Sequence, residues 1–240
     1  MVTDILPGVI RVLESRFGLG LTGETRLVDN YYEFRLSPHF QDSSEGFHIS
    51  VIIGWKKLTC QFVPGDKAGL LLNEMGASIT DNRLVFSAVA EEIINERGSI
   101  DFFINNSRQD PLDYQSWPAD WRSISLAVTG PYVETDSDLS EYEHIDNHVI
   151  EWAGLFFALI FPLLPVVPVQ GDSDDQEKGE LEGFRTSSIS TKYERSRKNR
   201  IACLAVKGFR CWVCGINFED VYGSIGSGFM EVHHIVPLSS

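Results

Sequence analysis

The sequence predicts an α+β protein in two unequal parts, and three observations carry that expectation. Through the first 169 residues, segments of helical period alternate irregularly with short strand-like runs. Next comes an acidic stretch free of aromatic residues, which cannot bury apolar area. The last fifty residues then crowd a cysteine pair, a histidine pair and most of a basic run into a short span. At 240 residues, 43% hydrophobic and 22% charged, the composition excludes collagen, a disulfide-dense miniprotein and wholesale disorder.

Residues 4–18 read as an amphipathic helix, with Ile5, Val9, Ile10, Val12, Leu13 and Phe17 near one face. Tyr31–Leu36, Phe47–Gly54 and Leu58–Val63 read as strands bounded by Ser, Pro, Gly and Asp. Asn82 to Arg97 reads as a helix stopped by Gly98. Ile100–Ile104 and Trp121–Thr129 are further strands, and Glu143 to Phe161 is a closing helix. This unit, residues 1–169, has the size of an ordinary domain.

Trp152 to Val169 is 18 residues without a charge, the lower edge of a membrane span. Pro162, Pro165 and Pro168 interrupt it every third residue, so a core helix running into an extended connector is expected instead. The N-terminus lacks the charged start and apolar core of a signal peptide, and a cytoplasmic protein without a membrane segment is expected. Residues 170–190 read as a flexible acidic linker.

Charge divides the chain unevenly. Residues 1–180 hold 12 Lys and Arg against 29 Asp and Glu, a balance of −17, whereas residues 181–240 hold 8 against 5, a balance of +3. Only the C-terminal part therefore suits a polyanion. Thr191 and Glu194 form a capping-box pattern ahead of Arg195, Arg197, Lys198 and Arg200, and Gly208 closes that helix. The four cations suit either a solvated helix face or contact with a nucleic-acid backbone.

Cys211 and Cys214 have the two-residue spacing of half a tetrahedral zinc site, closed by Gly215. Redox pairs share that spacing, and two small buried hydrophobes are the plainer alternative. Cys60 and Cys203 are expected to pack as buried thiols. Phe229 to Leu238 reads as a strand in which the adjacent His233 and His234 point to opposite faces and serve different ends. His144 and His148, one helical turn apart, suit either a metal clip or an ordinary polar face.

Taken together, residues 200–239, with the Cys pair, the Phe218…Tyr222-Gly223 loop and the Glu-Val-His-His-Ile-Val-Pro-Leu segment, resemble the first half of an HNH nuclease of the restriction-endonuclease type. The resemblance covers about fifty residues, 191–240. It implies a ββα-metal domain acting on DNA, with His234 as general base and His233 as ligand of a catalytic divalent cation, Mg²⁺ or a softer ion. It also implies Cys211 and Cys214 as half of a structural Cys₄ Zn²⁺ site, and a role in restriction or defence. The family continues with a second Cys pair, an Asn and a closing His. This chain runs only six residues past His234, so as given it is expected to be inactive alone and to be a fragment.

By the same resemblance the N-terminal domain selects the target, and Trp55, Trp117, Trp121 and Tyr132 are candidates for a flipped-base pocket, with core packing the stronger alternative. The competing expectation is a protein-interaction or sensor module carrying a zinc-binding tail. The oligomeric state is not legible in the sequence.

Overall fold

The computed structural model describes residues 5–29, 31–39, 44–54, 57–131, 141–165, 200–204, 206–223 and 230–232, with the backbone alone at 141–146. It is a mixed α+β structure. Elements run α1 (Leu6–Phe17), β1 (Leu21–Val28), β2 (Tyr31–Pro38), β3 (Phe47–Ile53), β4 (Leu58–Pro64), α2 (Gly69–Gly76), α3 (Thr80–Asn95), β5 (Ser99–Ile104), β6 (Ser107–Arg108), β7 (Ile124–Gly130) and α4 (Glu141–Ile160). A 3-10 turn at Phe161–Leu163 follows α4; helical residues 200–204 form α5, and α6 is Phe218–Tyr222.

Seven strands form one sheet in the order β1-β2-β3-β4-β7-β5-β6. Every neighbouring pair is antiparallel. β1 to β4 make a meander, and β7 then inserts between β4 and β5. Strand alternation sorts the side chains onto two faces. On one face Phe34, Leu36, Ile49, Val51, Cys60, Phe62, Phe102, Leu126 and Val128 are buried in a single core with α1, α3 and α4. The other face carries Glu24, Arg26, Glu33, Arg35, His48, Ser50, Thr59, Gln61 and Thr129.

The periodic segments form as read, with no end shifted by more than three residues. Four elements escaped the reading, among them α6, a short helix where Phe218 to Tyr222 reads as a loop. β1 carries Gly23, Glu24 and Arg26 in its middle, poor strand formers that are held here by pairing along β2. α2 is eight residues and lacks a clear apolar stripe. β6 is a two-residue strand returning from β5 through Asn105 and Asn106 at φ 51° and 62°, the pair of positive values a primed hairpin turn requires.

Two further expectations are corrected. Trp121, expected within a strand, precedes β7, its indole buried and its Nε1 donating 2.8 Å to the Pro118 carbonyl. Of the 152–169 segment, residues 152–165 are described: α4 runs to Ile160 and a 3-10 turn follows, all buried through Leu164, so Pro162 initiates a short turn inside the core where an extended connector is expected, while residues 166–169 lie outside the described residues. Trp152 sets where α4 lies. A β-carbon at Gly130 would stand 2.6 Å from its ring, and one at Gly98 would stand 2.8 Å from it, so the two glycines form the notch that admits the indole. Among the described residues no helix is long and apolar enough to cross a membrane.

Candidate metal-binding knuckle and basic helix

Helix α5 continues through residues 206–207 and ends at Gly208, whose amide bonds the Leu204 carbonyl at 2.8 Å with φ 71°, the left-handed cap anticipated from the sequence. Ile201, Ala202 and Leu204 are buried, and Ile201 and Val206 join the core of the N-terminal sheet. Lys207 Nζ lies 3.1 Å from Glu92 Oε2 of α3. The helix therefore uses an apolar side for docking. Arg200 donates 2.8 Å to the Met230 carbonyl, three residues before His233 in the chain. That guanidinium holds a backbone segment.

Beyond α5 the chain reverses at the cysteine pair. Arg210 and Asn217 form an antiparallel bridge, the Cys211 amide bonds the Ile216 carbonyl at 2.8 Å, and the Gly215 amide bonds the Cys211 carbonyl at 2.8 Å. Gly215 has φ 73°, a conformation glycine adopts without strain, which lets residues 212–215 turn back so tightly. Trp212 and Val213 stand at the tip, 87% and 93% exposed. Arg210 fixes the base: one nitrogen donates 2.8 Å to the Gly215 carbonyl and the other lies 3.1 Å from Asp220 of α6. α6 begins with Asn217, whose Oδ1 accepts from the Glu219 amide at 3.0 Å, and stacks Phe218 on Tyr222 with centroids 5.9 Å apart.

The electrostatics of the turn favour a thiolate. Backbone hydrogen bonds from Cys214 and Val213, with a further one from the Cys214 thiol, hold the Cys211 thiol below its ordinary value of 9.0. Amides converging on sulfur are what a metal-binding cysteine needs, because the thiolate is the ligand. Cys211 and Cys214 thus fit two of the four positions of a zinc site. Among the described residues no group of three or more His, Cys, Asp or Glu side chains is gathered to hold a metal. Neither sulfur is deeply buried, which corrects the alternative of two packed hydrophobes. Cys60 is buried, and Cys203 is half-buried, its thiol raised first by burial.

His233 and His234 lie outside the described residues, as do Arg195, Arg197 and Lys198, the linker 170–190, and Trp55 and Tyr132. Residues 230–232, the described part of the expected strand 229–238, join no ladder. Trp117 and Trp121 do not form a pocket. Trp117 packs edge-on against Phe86 and Phe102, both at 5.0 Å, and its Nε1 donates 2.8 Å to the Asp110 carbonyl. Arg83 lies over the same ring at 5.9 Å while donating to the Gly76 carbonyl at 2.5 Å. These rings hold the 105–123 loop to the core. His148 is half-buried beside Trp152 and hydrogen-bonded to the Pro131 backbone, and burial holds its imidazole below the ordinary value; the side chain of His144 is outside the described set.

No protein-family model matches the chain, and no curated protein or solved structure matches it.

Proposed function

We propose that this chain contains the first half of an HNH-type, metal-dependent DNA endonuclease that hydrolyses phosphodiester bonds in restriction or defence. The observation that carries the reading is the cysteine turn. The Cys214 and Val213 amides and the Cys214 thiol bond the Cys211 sulfur, and the turn follows on helix α5, described from Arg200. In this reading Cys211 and Cys214 hold one edge of a structural Zn²⁺. The resemblance of residues 200–239 supplies the chemical roles. His234 takes the proton from the attacking water as oxygen joins phosphorus and the sugar oxygen leaves. His233 contributes to a divalent cation, which would stabilise the charge that builds on the phosphate. Arg195, Arg197 and Lys198 neutralise the DNA backbone, and the −17 body keeps DNA contact local to the C-terminal part. The N-terminal domain selects the target or a protein partner.

The test uses the product of the native untagged gene. Its intact mass, its zinc content and its Mg²⁺-dependent nicking of supercoiled plasmid are measured for wild type, Cys211→Ser and His234→Ala. About one zinc per chain, lost in Cys211→Ser, with nicking lost in His234→Ala, is the expected result. A zinc-free protein, or nicking that survives His234→Ala, defeats the reading.

A further inference from the structure

The two edges of the sheet are finished differently. One ends in β6, two residues long, which offers almost no template for another strand. The other ends in β1, eight residues without a proline. Among the described residues nothing pairs with its outer side. The Gly20 carbonyl accepts the His39 amide at 3.0 Å, so Gly20 and His39 are a bonded pair, and alternation then turns the amides and carbonyls of Leu21, Gly23, Thr25 and Leu27 away from β2. The Leu21 amide is taken by Glu14 Oε1 at 2.8 Å. Gly23, Thr25 and Leu27 remain as an open row.

We propose that β1 is a homodimer edge, with two copies joined antiparallel about a two-fold axis through Thr25. The charges select this register. Outward-bonding residues must face outward-bonding residues, so near the strand's middle Thr25 can lie opposite Gly23, Thr25 or Leu27 of the second copy. The first choice sets Glu24 against Glu24, and the third sets Arg26 against Arg26. Only the middle choice sets Glu24 against Arg26 in both directions, as an isologous contact requires. Within one chain Glu24 already lies opposite Arg35, and Arg26 opposite Glu33. The proposed register therefore continues a checkerboard across four strands: Glu33, Arg26, Glu24 and Arg35 in one row, and the same series reversed in the next. Opposite charges directly across a ladder stabilise it, and like charges destabilise it.

The apolar side chains agree. Leu27 is 65% exposed although it lies on the helix side of the sheet. The register places the second copy's Leu27 against Gly23, where a β-carbon would stand 2.7 Å from Ile10 and 3.0 Å from Leu6. A glycine there leaves those two side chains available to cover the incoming leucine.

The test is the mass of the full chain by light scattering at micromolar concentration. Wild type is expected at twice 27.0 kDa. Thr25→Pro removes an outward amide without touching the β1–β2 ladder, and is expected at 27.0 kDa. Glu24→Lys alone and Arg26→Glu alone each place like charges across the axis, and also opposite Arg35 or Glu33 within the chain, and are expected as monomers. An equimolar mixture of those two restores opposite charges at both positions and is expected to recover the doubled mass, a result that misfolding cannot mimic. A monomeric wild type, a dimeric Thr25→Pro or a mixture that stays monomeric overturns the proposal.

Discussion

Ser50 Oγ donates a 2.6 Å hydrogen bond to Glu33 Oε1 across the β2–β3 pair, on the polar face of the sheet, and both residues are buried. Arg35 Nε stands 3.1 Å from the same carboxylate oxygen. Burial opposes ionisation of Glu33, yet the hydrogen bond from Ser50 and the adjacent Arg35 guanidinium together hold its carboxyl below the ordinary 4.5. The cluster lies next to the Glu24 and Arg26 rows of β1, so its charge state bears on the whole polar face.

Because the folded-state value is depressed, Glu33 contributes stability that is present above the unfolded value and is lost as pH falls through the folded one. Urea midpoints are expected to decline as pH drops below 4.5, and to decline less in Glu33→Gln. At neutral pH, Glu33→Ala leaves Ser50 without its acceptor and Arg35 without its counter-charge, and is expected to cost about 1–3 kcal/mol. A midpoint unchanged by Glu33→Ala would remove the cluster from the stability account.

Gly130→Ala directs a methyl group at the Trp152 ring, 2.6 Å away, where a rigid indole cannot yield. Overpacking of this kind is expected to cost about 1–3 kcal/mol, and Trp121→Ala about 3–5 kcal/mol through the cavity it leaves. Chemical denaturation followed by far-ultraviolet dichroism measures both. Since Trp121 anchors the 105–123 loop, its removal is also expected to speed proteolysis there.

Thiol reactivity is expected to rank Cys211 above Cys203 above Cys60. Hydrogen bonds lower the Cys211 thiol, burial raises Cys203, and burial pushes Cys60 up to about 12. A time course of iodoacetamide labelling, read by peptide mass spectrometry without metal, gives the order. Rapid labelling of Cys60 in folded protein would contradict its burial.

The docking of α5 rests on apolar contact. Lys207 and Glu92 are a partly exposed pair, so Lys207→Ala is expected to change stability by at most about 1 kcal/mol. Ile201→Ala empties a buried site and is expected to cost about 2–5 kcal/mol. Equal effects from the two substitutions would show that the ion pair carries the contact.

Much of the fold was legible because burial imposes a period on the sequence. Val9, Leu13 and Phe17 repeat every four residues and lie together under α1, while Ile49, Val51, Cys60 and Phe62 alternate as one face of a sheet must. Gly208 and Gly215 were legible for a local reason, since a cap or tight turn needs positive φ at a known offset. β1 was not legible. Gly23, Glu24 and Arg26 interrupt its Thr and Val residues, and only the partner β2 gives them a ladder.

By itself, then, the sequence determined the mixed α+β class, the core faces of most elements, the asymmetry of charge and the turn that gathers Cys211 and Cys214. These depend on residue type and short spacing, which act through local sterics and solvent. Tertiary structure alone decided which rings Trp117 and Trp121 pack against, that Trp152 rests on Gly98 and Gly130, that α5 lies against the sheet's core, and that Glu24 and Arg26 stand on an open edge. Each of those depends on which distant segments become neighbours, and contacts between strands and helices far apart in the chain leave no period for a sequence to display.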